Sequence, residues 1–135
     1  MGMDMKIIEE LINELDKDTS MSELNIRDVQ LKLPGIKHKS AGRLIRAKIS
    51  LQELFNKRRE VKQSTVDKLK EEAPYELSDP AADKMADRYD KVQEISDMIN
   101  EHKLLIELLE KAEKIFGSMT FDIKNMIEIM KLEVE

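Results

Sequence analysis

The sequence predicts an all-α protein, and three observations lead to that prediction. Charged residues make up 38% of the 135 residues, while the chain has only three Pro and four Gly, a composition that favours long helices over a β fold with many turns. Apolar residues recur at steps of three and four over most of the chain, which is the period of an amphipathic helix. A chain of this length forms one domain, so we expect a single helical domain over residues 1–135.

Residues 1–20 predict a short N-terminal helix. Apolar residues between Ile7 and Leu15 fall on one helical face. The run from Asp16 to Ser20 then ends the pattern with residues that favour caps and turns. Because a helix this short is not stable alone, we expect it to dock on the rest of the chain or on a neighbouring subunit.

The next segment, from Ser22 to Leu33, predicts an extended or loosely turned connection. Val29, Leu31 and Leu33 alternate with polar residues, which is the period of a strand. The dipeptide at 34–35, Pro-Gly, is expected to stop whatever precedes it.

Residues 36–72 predict a long basic amphipathic helix. Between Lys32 and Lys70 the chain carries twelve Lys and Arg residues against three acidic ones, so this segment has a charge of +9 in a chain whose net charge is −5. An apolar seam from Leu44 to Val61 is bordered by these cations. Such a face fits a polyanion, nucleic acid first of all. A solvated charged face without a binding role explains the same composition.

Eight cations of this helix are the candidate phosphate contacts. They are Lys37, Lys39, Arg43, Arg46, Lys57, Arg58, Arg59 and Lys62. Arg58 falls within the apolar seam and is the least suited of them, since it could instead form a buried ion pair at a subunit seam.

Residues 79–134 predict a C-terminal helical hairpin that also serves oligomerisation. Ser78 followed by Pro80 is a helix start, and the long helix that follows is expected to run antiparallel to the basic helix and to end at Gly117 and Ser118. The last helix is apolar on more than one side, with Ile129 and Leu132 outside its main stripe. A helix confined to the chain's own core would explain this pattern too. The residues assigned to oligomerisation are Phe121, Ile123, Met126, Ile127 and Met130.

The residues that enzymes and metal sites require are sparse. The chain has no Cys and two His, its glycines are scattered, and no nucleophile motif is present, so we expect neither catalysis nor a cofactor. An acidic stripe from Asp83 to Glu94 lacks the glycine turn of a calcium loop, and we expect a solvated or subunit-facing surface and no metal site. No apolar run is long enough to cross a bilayer and no signal peptide is present, which predicts an intracellular, cytoplasmic protein.

Two stretches carry a resemblance to a known family. The first is Leu33-Pro34-Gly35-Ile36-Lys37-His38-Lys39, leading into the Lys- and Arg-dense helix up to Lys62. The second is Thr120-Phe121-Asp122-Ile123-Lys124-Asn125-Met126-Ile127-Glu128, an aromatic-x-Ile-Lys-x-x-Ile pattern that Lys131 extends. Over nearly its whole length the chain resembles the UvsY family of recombination mediators of T-even-like phages. One departure is that family members carry paired tyrosines just after the basic helix, where this chain has Val66-Asp67-Lys68-Leu69-Lys70-Glu71.

The resemblance implies a function. UvsY-like proteins form homo-oligomeric rings that bind single-stranded DNA without sequence preference and help a RecA-like recombinase replace the single-strand-binding protein during phage recombination and repair. A phage-encoded member would work in the host cytoplasm. The residues by themselves leave two other functions open: a helical adaptor whose basic helix binds acidic protein partners, and an RNA-binding accessory protein.

Overall fold

Two long antiparallel helices form the body of the molecule. The computed structural model describes the backbone of residues 2–134 and the side chains of residues 5–134. The helices are α1, Gly2–Asp18; α2, Ile26–Glu72; α3, Asp79–Asp87; and α4, Asp90–Val134. No strand occurs within this range, so the all-α prediction is confirmed.

The pairing of α2 with α4 is antiparallel along its whole length. Lys37 of α2 donates to the Thr120 hydroxyl near the C-terminal end of α4, whereas Arg58 donates to Ser96 near its start. α1 lies against α4 and α3 lies mainly on α2. Within the described range, no helix is long and apolar enough to cross a membrane.

The core lies in three clusters spaced along the helix pair. The largest joins the start of α2 to the C-terminal half of α4, the second lies at mid-length, and the third holds α3 on α2. Buried members of the largest cluster are Ile26, Val29, Leu33, Ala112, Phe116, Met119 and Ile123. Leu and Ile side chains fill most of the mid-length cluster, whereas α3 presents Ala82 and Ala86, both with no exposed surface. The two alanines let α3 lie close to α2.

The extended connection predicted for residues 22–33 is wrong from Ile26 onward. α2 begins at Ile26 and continues through Pro34 without a break. Ile26, Val29 and Leu33 lie at helical steps of three and four and are buried, whereas Leu31, which suggested a strand period, is 73% exposed. Burial of these three side chains against α4 outweighs the backbone hydrogen bond that Pro34 cannot donate.

The long C-terminal helix breaks in a different place from the one predicted. The sequence predicts a helical hairpin that turns at Gly117 and Ser118, but α4 runs through both residues to Val134 as one helix. Phe116 and Met119 on either side are buried in the largest cluster, and this packing offsets the low helix propensity of glycine. The chain turns instead at Arg88 and Tyr89, between α3 and α4.

Side-chain hydrogen bonds stabilise the turns that precede α3 and α2. Ser78 caps α3 as predicted, its hydroxyl accepting from the Ala81 amide at 3.3 Å. Between α1 and α2, the Asn25 side chain accepts from the Ser22 amide at 2.7 Å and donates to the Ser20 carbonyl at 3.1 Å. These side-chain bonds satisfy backbone groups that the turns leave without helical partners.

Candidate nucleic-acid interface

The first pair of candidate cations is neutralised by α1. Glu14 of α1 accepts from Lys39 at 2.9 Å and from Arg43 at 3.1 Å. The hydrogen bond from Lys39 is the main reason that the pKa of Glu14 lies below its usual 4.5, with Arg43 adding to the effect and partial burial opposing it. This carboxylate fixes α1 against the basic helix and occupies both cations.

The second pair is neutralised by α3. Asp87 accepts from Arg58 at 3.1 Å and from Lys62 at 2.9 Å, and Asp83 accepts from Lys62 at 3.0 Å. Arg58 also donates to the Ser96 hydroxyl at 2.9 Å. The hydrogen bond to Asp87, followed by that to Asp83, raises the pKa of Lys62 above its usual 10.5. In turn, the bond from Lys62 lowers the pKa of Asp87.

The remaining four candidates form no ion pair within residues 5–134. Arg46, Lys57 and Arg59 are exposed, and no carboxylate of the described side chains lies within ion-pair distance of them. Lys37 is half-buried and donates to the Thr120 hydroxyl at 2.6 Å, which leaves its charge uncompensated. Four cations of α2 therefore remain without a carboxylate partner among the described residues after the pairs with α1 and α3 are counted.

An open groove lies on each flank of α2. On the α1 side, a groove of about 380 Å³ is lined by Arg43, Arg46 and His102 among others. The Nε2 atom of His102 is buried there and finds no hydrogen-bond partner among the described residues. On the α3 side, a groove of about 540 Å³ is lined by Phe55 and Arg59 among others. The cations thus border two surfaces rather than one continuous face.

Sequence reasoning missed two residues beside the second groove. Lys103 of α4 places its ammonium nitrogen 5.5 Å from the centre of the Phe55 ring, which is within cation–π range. Lys103 lies outside the basic segment, and only the pairing of α4 with α2 brings it there. The signal available at Phe55 was an aromatic residue among cations of the basic helix. No group of acidic and histidine residues in the described range could hold a metal ion.

The residues assigned to oligomerisation divide between the interior and the surface. Ile123 is 3% exposed in the chain's own core, and Met126, Ile127 and Met130 pack partly against that core. Phe121, by contrast, is 70% exposed. It is accompanied on the surface of α4 by Ile129 and Leu132, an apolar group that we call the C-terminal apolar face.

The fold is that of a phage recombination mediator. The solved structures to which the chain is similar include the bacteriophage T4 recombination mediator protein UvsY in two crystal lattices. One matches with a TM-score of 0.79 at 14% identity, covering 93% of this chain and 97% of UvsY. The other has a TM-score of 0.77 at 14% identity, with coverage of 94% and 97%. No protein-family model and no curated protein matches the sequence. At this identity the likeness is one of fold, and at that level the resemblance indicated by the sequence motifs is confirmed.

Proposed function

We propose that this chain is a non-enzymatic recombination mediator that binds single-stranded DNA through α2. The observation that carries the proposal is that four cations on the two flanks of the 47-residue α2, Lys37, Arg46, Lys57 and Arg59, have no carboxylate partner among the described side chains. Arg and Lys side chains without a carboxylate partner can neutralise phosphates, which releases the counterions condensed on the nucleic acid. The fold shared with T4 UvsY supports the mediator role.

The four unpaired cations supply more of the affinity than the four paired ones. Lys39, Arg43, Arg58 and Lys62 must each leave a carboxylate before they can bind a phosphate, so part of the interaction energy is lost. Lys57 and Arg59 meet no such competition. Each phosphate neutralised on a single strand adds about −0.7 to the slope of log K against log salt.

The test is fluorescence anisotropy with labelled oligo-dT, duplex DNA and RNA at several salt concentrations. The double variant Lys57→Gln with Arg59→Gln should reduce the oligo-dT salt slope by about 1.4, the contribution of two phosphates. Lys84→Gln with Lys114→Gln removes the same charge at exposed positions outside α2 and serves as the matched control. Absence of binding to all three probes at low salt would refute the proposal and favour the adaptor, whereas a preference for RNA would favour the accessory protein.

We further propose that the C-terminal apolar face joins copies of the chain into the oligomer. Deleting the end of α4 is a poor test, because Met119 and Ile123 belong to the core of the chain itself. Phe121→Ser with Leu132→Ser changes only exposed side chains and should lower the mass measured by light scattering while the helical signal in circular dichroism is retained. An unchanged mass would contradict this assignment.

The mediator step itself needs a separate assay. Oligo-dT is first coated with a phage single-strand-binding protein, and a RecA-like recombinase is then added with or without this chain. We expect faster recombinase loading with the wild-type chain and little stimulation by the Lys57→Gln, Arg59→Gln variant. If the variant stimulated recombinase loading as much as the wild type does, DNA binding by Lys57 and Arg59 would not be needed for loading.

A further inference from the structure

Phe55 is a partly exposed aromatic residue of the basic helix, beside its contact with α4. Its side chain is 36% exposed and lines the α3-side groove between Gln52 and Gln63. Phe55 is the single aromatic residue among those that line this groove. This apolar ring is partly exposed among charged side chains. Its face is a surface that contacts to phosphates would not use.

Two cations without a carboxylate partner among the described residues lie near this ring, and they come from different helices. Arg59 lies one turn further along α2 and lines the same groove. The Lys103 nitrogen of α4 lies 5.5 Å from the ring centre. Neither forms an ion pair with a described carboxylate. The cations deeper in the groove, Arg58 and Lys62, are held by Asp87.

The groove therefore offers cations for the phosphates of a strand and an aromatic ring for one of its bases. Asp83 also lines the groove and is paired with Lys62. Arg59 and Lys103, which have no such pair among the described residues, can receive phosphates near the ring. Gln52 and Gln63 supply amides that both donate and accept hydrogen bonds, as base edges do. Stacking of bases on aromatic rings accompanies backbone binding by cations in many single-strand-binding surfaces.

The two tyrosines lack this setting, and the exposed Phe121 belongs to the C-terminal apolar face. Tyr75 is 66% exposed in the 73–78 connection, close in sequence to Glu71, Glu72 and Glu76. Tyr89, 45% exposed, stands between Asp87 and Asp90. No cation–π contact to either tyrosine occurs among the described residues.

We propose that Phe55 is a stacking platform for a base of the bound strand, with Arg59 and Lys103 holding the adjoining phosphates. This inference rests on the proposed single-stranded DNA binding and adds to it a site that reads the base face rather than the backbone. Since every base presents a π face, the site is independent of sequence.

A tryptophan reporter tests the proposal directly. The chain contains no Trp, so Phe55→Trp gives a fluorescence signal from this position alone, and stacking of thymines should quench it as oligo-dT is added. Tyr75→Trp is the matched control, and we expect no quenching there. Anisotropy of labelled oligo-dT is recorded in parallel, so that binding and stacking are measured separately.

An abasic oligomer of the same length supplies the second test, because it keeps the phosphates and lacks the bases. Phe55→Leu should weaken oligo-dT binding about five-fold or more, the loss expected for one stacked base, and should leave abasic binding and the salt slope unchanged. Arg59→Gln should instead reduce the slope for both oligomers. Binding of oligo-dT by Phe55→Trp without quenching, or equal losses on both oligomers for Phe55→Leu, would overturn the stacking platform and leave the proposed function standing. If the wild type binds no single strand, both proposals fail.

Discussion

Replacing Asp87 by Asn removes the carboxylate on which the α2–α3 ion-pair network converges. Asp87 accepts from Arg58 at 3.1 Å and from Lys62 at 2.9 Å. The substitution keeps the size of the side chain and its ability to accept one hydrogen bond, and it removes the charge. Lys62 retains Asp83 at 3.0 Å, whereas Arg58 loses its single carboxylate partner among the described residues. The contact between α3 and α2 should weaken.

The expected loss of stability is modest because the network is partly exposed. The Asp87 side chain is 41% exposed, that of Arg58 31% and that of Lys62 19%, so each pair contributes about 0.2–1 kcal/mol after solvent screening. Removing a negative charge from the last turn of α3 returns roughly 0.3 kcal/mol. A net loss on the order of 1 kcal/mol lowers the melting temperature of a chain this size by about 4 °C.

The stabilisation by Asp87 depends on pH in a direction that follows from the pKa shifts. Because the folded-state pKa of Asp87 lies below its usual 3.8, its contribution is present above that value and disappears as the pH falls through the lower folded pKa. Lys62 has a raised pKa, so its contribution is present below 10.5 and is lost as the pH rises further. The difference in melting temperature between wild type and Asp87→Asn should be constant between about pH 5 and 10 and should vanish under strongly acidic conditions.

Thermal melts by circular dichroism from pH 2 to 10 measure this difference, with Asp16→Asn as the control because Asp16 is exposed and outside the network. On the proposed function, the variant also frees Arg58 and partly frees Lys62, so the oligo-dT salt slope should steepen by about 0.7–1.4. A melting temperature equal to that of the wild type at neutral pH would refute the structural account of this network.

The remaining predictions concern α1 and two helix glycines. Glu14→Gln should weaken the docking of α1, since the Glu14 carboxylate accepts from both Lys39 and Arg43, and faster amide hydrogen exchange in α1 measures this. In the wild type the same weakening should set in as the pH falls below 4.5, because the pKa of Glu14 is lowered in the folded state. Gly117→Ala should stabilise the chain by about 1 kcal/mol, because an added Cβ meets nothing within 4 Å, and the urea midpoint should rise with an unchanged m-value. Gly42→Ala is the matched comparison: its Cβ would meet the Arg46 guanidinium at 3.3 Å, so we expect a smaller gain, and equal gains at both sites would contradict the packing described.

Helical periodicity was sufficient to predict the fold class and the pairing of a basic helix with a C-terminal one. It failed where local signals and tertiary packing disagree. Pro34 and Gly117 are helix breakers in isolation, but Leu33, Phe116 and Met119 beside them are buried in one cluster, and no local pattern records that contact. The break at Tyr89 has the opposite origin, since α3 leaves the line of α4 to place its alanines on α2.

The eight candidate cations could be found from the sequence, but their division into paired and unpaired groups could not. Glu14 lies 25 residues from Lys39, and Asp87 lies 29 residues from Arg58, so these pairs depend on the docking of α1 and α3. The sequence predicts Arg58 to be the least suitable phosphate contact, because it falls in the apolar seam. In the structure its carboxylate partner comes from α3 of the same chain.

The position of the largest core cluster affects how the helix pair opens. The connection between Glu72 and Asp79 closes one end of the pair, whereas the other end holds contacts such as Lys37 with Thr120, which are 83 residues apart. Bringing such distant residues together costs more chain entropy than closing the near end, and a hairpin of helices would ordinarily fray from there. The most extensive apolar packing lies at that free end, and it opposes the separation of α2 from α4 there. The two long helices should therefore separate as a single cooperative unit.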